Sequence, residues 1–140
     1  MSETTLFPKP ESVGARDWGE ELLLTLIPDT LTLKKIFIKA GHKGGLQYHR
    51  EKNECGILIE GELLVRFDAG DGILQEKILR AGDCFHFPPR AVHQEEALSD
   101  CVIIEASSPH FNDRVRVEDR YGLTADGGLP TTQPDEILRK

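Results

Sequence analysis

The sequence is poor in several features, and each shortage excludes a class of protein. Aromatic residues make up 6 %, tryptophan occurs once, and there are three cysteines in 140 residues. No apolar run approaches the ~20 residues that a membrane-spanning helix requires, so no membrane partner is expected. Basic residues are outnumbered, 17 Lys+Arg against 24 Asp+Glu, for a formal charge of -7. That balance argues against a general nucleic-acid binder, which needs a basic footprint. Residues 1–15 carry Pro, Ser, Glu and Lys but no apolar stretch of the secretory-signal kind; a cytoplasmic location is expected. Cys55, Cys84 and Cys101 are odd in number and each sits in an apolar run. They read as reduced core thiols rather than a disulfide framework.

What is present is a succession of short strands. Alternating apolar runs predict strands over 21–27, 31–38, 46–49, 55–59, 62–67, 73–79, 84–87, 92–96 and 101–106. A change of parity near Lys34-Lys35 suggests a bulge in the second of these. No stretch of ten or more residues before Ser107 keeps a helical period. Short strands at this spacing with Gly and Pro turns point to an all-β sandwich or barrel. The expected organisation is an N-terminal arm (1–15), one domain (16–122) and a C-terminal tail (123–140). Residues 112–120 are read as a final strand or a short helical segment, and only 135–140 could turn helically. Trp18 is expected to be a packing anchor.

The chemistry is concentrated in residues 41–61 and 82–93. Gln47 and His49 lie two apart on one strand, so both side chains point to the same face. A four-residue turn then delivers Glu54, and His93 heads a later strand. Two imidazoles, a carboxylate and an amide oxygen suit a divalent metal with open positions, zinc, manganese, iron, cobalt or nickel. His42 and His86 have no motif partner and are expected in loop and core roles. His110 is read equally as lining the mouth of the barrel or facing water.

These residues resemble the two motifs of the cupin superfamily: Gly41, Gln47-Tyr48-His49, Glu54 and Gly61, then Gly82, Pro88, Arg90 and His93. Within it, the chain is similar to the type II mannose-6-phosphate isomerase domain at four places. These are Arg16-Asp17-Trp18-Gly19, the Gly44-Gly45-Leu46-Gln47-Tyr48-His49 run with Glu54, the turn over 88–93, and residues 113–122 (DRVRVEDRYG). Asp17 stands where that family has Pro, Leu123 where it has Arg, and Gly44-Gly45 where it has bulkier residues. The resemblance implies a cupin-type double-stranded β-helix, or jelly roll, with a short C-terminal extension. It also implies a metal-dependent aldose–ketose isomerase.

Six basic residues and one acid, Glu51, fall within 34–52. Lys34, Lys35 and Lys39 read as a solvated strand face. Lys43, Arg50 and Arg90 flank the metal motifs and are expected to hold the anionic end of a sugar. The base that moves a proton between two ligand carbons is a cavity histidine, Glu54, or Lys52 with a lowered pKa. A non-catalytic binding or sensor cupin is the alternative, and an iron-dependent oxygenase a third reading. An apolar outer sheet, covered with help from the N-terminal arm, would make the protein a homodimer.

Overall fold

The computed structural model describes residues 2–111 and 113–124. The expected helical turn at 135–140, and most of the tail 123–140, lie outside the described residues. Eleven strands are present among the described residues: β1 (Glu11–Arg16), β2 (Gly19–Ile27), β3 (Leu31–Ile38), β4 (Gln47–His49), β5 (Glu54–Glu60), β6 (Glu62–Asp68), β7 (Leu74–Arg80), β8 (Cys84–Phe87), β9 (His93–Ala97), β10 (Cys101–Ser107) and β11 (Arg114–Arg116). They form two antiparallel sheets, ordered β1-β2-β3-β10-β5-β8 and β11-β4-β9-β6-β7. This is a jelly-roll β-sandwich, with one 3₁₀ turn over Glu118–Tyr121. Of the stretch read as a strand or a helical segment, residues 114–116 form a short strand and 118–120 part of a helical turn.

Alternation along three neighbouring strands decides where the core ends and the site begins. The inward residues of β3 are Thr32, Lys34, Ile36 and Ile38. They face Ser107, Glu105, Ile103 and Cys101 of β10, in that order. On the other side of β10, Leu58, Gly56 and Glu54 of β5 oppose Ile103, Glu105 and Ser107. Every inward row thus runs from apolar at one end of the sandwich to charged at the other. The apolar end forms the core, where Leu58, Leu63, Ile103 and Ala97 are almost completely buried beside Trp18 and Phe87. Each large aliphatic buried there contributes ~1.5–3 kcal/mol. The polar end cannot close in this way and leaves a cavity.

Four expectations are corrected here. The parity change at Lys34 is not a bulge in β3, which alternates without interruption; the register shift lies across the strand pair, between Leu23 and Thr25 of β2. Lys34 is the inward residue, buried and 3.8 Å from Glu21, not part of a solvated face. Residues 11–15, expected within an arm, belong to the edge strand β1, which pairs with β2. Trp18 packs in the core as expected, and its carbonyl accepts the Lys39 N–H at 2.7 Å. Gly19 follows at φ 151°, where a Cβ would overlap the Phe37 carbonyl. Cys101 is buried, but Cys55 and Cys84 are exposed, because they fall on the outward parity of β5 and β8, opposite to Glu54 and Phe87.

Candidate metal centre

The polar end of the sandwich encloses a cavity of about 100 Å³. His49, Glu54 and His93 converge on it, with one ligand atom from each within 4.8 Å of the others. Glu54 Oε1 lies 3.6 Å from His49 Nε2 and 3.3 Å from His93 Nε2. The register that pairs Gln47 with His93 brings in the fourth residue. Gln47 lines the same cavity, and its Oε1 is buried with no hydrogen-bond partner. A buried amide oxygen without a partner costs ~1–3 kcal/mol, and a cation bound to it removes that penalty. The donor set and this orphaned oxygen fit a divalent metal.

Each imidazole is held so that its Nε2 faces the centre. His93 Nδ1 donates to the Ala91 carbonyl at 2.9 Å, and Phe87 stacks on its ring at 3.9 Å between centroids, with planes 5° apart. His49 Nδ1 lies at hydrogen-bond distance, 2.8 Å, from Asp113 Oδ1. Phe85 and Phe87 are the inward pair of β8, while Cys84 and His86 point out. His86 is exposed and bonded to Asn53 Oδ1; His42 is half-buried in the loop after β3. His110 lines the cavity and bonds Ser108 Oγ at 2.8 Å.

The charges in the cavity form an alternating series. Lys52 Nζ lies 3.3 Å from Glu54 and 3.8 Å from Glu105, and Glu105 opposes Lys34 across the strand pair. Burial alone would raise the Glu54 carboxyl, but Lys52, His93 and His49 hold it well below the usual range. Burial alone would lower the Lys52 ammonium, but Glu54 and Glu105 raise it. The expectation of a lowered Lys52 pKa is thereby reversed: the side chain stays charged and cannot accept a proton. Glu105 is pushed well above the usual range by burial and by Glu54. Glu95, two residues after His93 and on the same face, is pushed up to about 7 by burial, with Glu54 adding to the rise. Burial lowers His49; for His93 burial also acts to lower the imidazole, but the hydrogen bond to Glu54 together with the charges of Glu54 and Glu95 raises it.

The cations at the cavity are not those expected. Lys34, Lys52 and Arg114 line it; Lys43, Arg50 and Arg90 do not. Arg50 lies in the bend just past β4 and is exposed. Arg90 sits in a left-handed turn at φ 72° and reaches the site only through its N–H, which donates to the His49 carbonyl at 2.7 Å. Lys43 is exposed on a loop that pairs with Glu96. Glu95 and Glu105 could have been found by counting two residues along the strand from His93 and from Ile103.

A family model described as "Cupin domain" matches residues 35–107, more than half of the chain, including all four of these candidate ligands. The chain belongs to the cupin family. Among solved structures, the capsular polysaccharide assembling protein CapF from Staphylococcus aureus is 20 % identical with TM-score 0.68 over 78 % of this chain. The cupin spans only 32 % of CapF, about a third of its length. An RmlC-like cupin from Shewanella frigidimarina is 28 % identical with TM-score 0.61, covering 80 % of this chain and 96 % of that one. KdgF from Halomonas sp. is 20 % identical with TM-score 0.62, covering 71 % and 88 %. No curated protein matches the chain by sequence. Cupins of different function share this fold, and the fold alone assigns none of them here.

Proposed function

We propose that this cupin holds a divalent metal through Gln47, His49, Glu54 and His93 and isomerises a small sugar or sugar phosphate between aldose and ketose forms. The observation that carries the reading is the convergence of three ligand atoms beside the unpartnered Gln47 oxygen. When bound, the metal would polarise a carbonyl and stabilise the charge that develops on an enediol. Glu54 is already ionised and Lys52 already protonated, so both act as fixed charges. Proton transfer falls instead to Glu95, which lines the cavity on the same face as His93. Lys34, Lys52 and Arg114 replace Lys43, Arg50 and Arg90 as the groups that would meet an anionic ligand.

The test is metal analysis of the purified protein, followed by NMR of C2 proton exchange in D₂O on neutral and phosphorylated sugars. Exchange that needs metal and is lost in Glu95→Gln supports the isomerase. Sugar binding without exchange moves the sensor reading ahead, and oxygen consumption with iron would favour the oxygenase. The proposal also includes a cytoplasmic homodimer. Exposed free thiols at Cys55 and Cys84 suit a reducing compartment. Leu33 and Phe37 of β3, with Val102 and Ile104 of β10, lie on the outer face of the six-stranded sheet at the parity opposite to the core, and a second subunit would cover them.

A further inference from the structure

We propose that Asp113 is a positioning residue that fixes the tautomer of His49, leaving the Nε2 lone pair free for the cation. The inference rests on the metal site proposed above, but its main observable does not. Asp113 lies outside the matched segment 35–107. Pairing of β11 with β4, with Arg114 opposite His49, brings it to the site.

One residue gathers four donors from consecutive positions. Asp113 Oδ1 lies 2.8 Å from His49 Nδ1. Its Oδ2 accepts the N–H groups of Glu51 at 2.8 Å and Lys52 at 2.7 Å. Its backbone carbonyl accepts the Arg50 N–H at 3.1 Å. An ionised carboxylate only accepts, and Asp113 Oδ2 already meets two backbone N–H donors while Oδ1 faces the ring nitrogen of His49. The proton of neutral His49 must therefore sit on Nδ1. His93 is oriented without the C-terminal segment, by the Ala91 carbonyl two residues before it and by the Phe87 ring of β8. The two histidines are thus oriented by independent means, and only His49 depends on the C-terminal segment. The same carboxylate also sets the turn that carries Lys52 to Glu54.

Asp113→Asn separates these roles. An asparagine has one acceptor oxygen, and two backbone N–H groups compete for it against one imidazole. The oxygen stays with Glu51 and Lys52, so the turn is kept. The NH₂ then faces His49 Nδ1, which must accept, and the proton moves to Nε2. The experiment is ¹⁵N-histidine NMR of the metal-free protein at pH 8, with Co²⁺ and Zn²⁺ titrations and thermal melts. Wild type is expected to show the Nδ1–H tautomer at His49, and Asp113→Asn the Nε2–H tautomer with a melting temperature close to wild type. Metal affinity should fall about ten- to a hundredfold, the range for outer partners of ligating histidines. Asp113→Ala should lower affinity and the melting temperature together. An unchanged His49 tautomer in Asp113→Asn, or Co²⁺ binding within twofold of wild type, overturns the proposal. If wild type binds neither metal, the metal reading falls while the tautomer measurement still decides the role of Asp113.

Discussion

His93 is gripped on three sides, by Phe87 on its face, the Ala91 carbonyl on Nδ1 and Glu54 on Nε2. Removing it should abolish most metal binding, whereas His86→Ala, on the outer face, should leave metal content unchanged; metal analysis of the two variants decides. Gln47→His should tighten binding, since imidazole is the better donor to zinc or nickel, and isothermal titration reads the change. Glu95 makes a prediction about pH. Its carboxyl is raised from 4.5 to about 7, so across that window the unfolded chain releases a proton that the folded chain keeps. Stability of the metal-free protein must then fall as pH rises from 4.5 to 7. The full loss is on the order of 3 kcal/mol, as an upper bound because Glu95 is only half-buried. Urea melts of Glu95→Gln should show a shallower slope, the remainder belonging to Glu105, whose carboxyl is also raised; an unaltered slope would place the titration elsewhere. Residue types at short spacing made the four ligand candidates legible in the sequence. The neighbouring charges were not: Lys34 owes its burial to Glu21 and to Glu105, which lies far along the chain, and Lys43 or Arg50 look equally eligible until parity is known.

Among the elements, the long alternating strands were readable and the ones defined by their neighbours were not. Strand β8 was located to the residue because Pro88 ends it, and β3 because turns bound it, although its apolar residues switch parity where Lys34 takes an inward position. Strand β1 has one buried apolar side chain, Val13, so nothing local marks it; its pairing with β2 does. Strand β11 is three residues long and depends on β4 in the same way. Its attachment explains Gly45. A Cβ on Gly45 would overlap the guanidinium of Arg116, which bonds Glu118 through Nε at 2.9 Å, and Glu118 in turn accepts the Leu46 N–H at 3.2 Å. Gly45→Ala should push Arg116 off Glu118 and cost about 1.5–3 kcal/mol, the range for charge-assisted hydrogen bonds. The double variant Gly45→Ala/Arg116→Ala should lose no more than Arg116→Ala alone in the same urea melts, because the clash and the ion pair vanish together.

For the molecule as a whole, the expected dimer is a statement about one sheet face. If a second copy covers the outer face, Ile104→Lys should shift the mass measured by light scattering from two chains to one while leaving metal content intact. A wild-type monomer at micromolar concentration would remove the dimer from the proposal. The topology has a separate consequence for how the chain comes into being. Strand β10 lies between β3 and β5, yet β5 ends at Glu60 and β10 begins at Cys101. At synthesis rates of ~5–20 residues per second, the ribosome takes about 2–8 s to make the stretch between them. Throughout that interval β3 and β5 are two unfilled edges facing the same vacant slot, each a template for another nascent chain. The strand that carries Glu105 to the cavity floor is therefore also the one that ends this exposure, and a ribosome stalled before residue 101 would display both edges to chaperones.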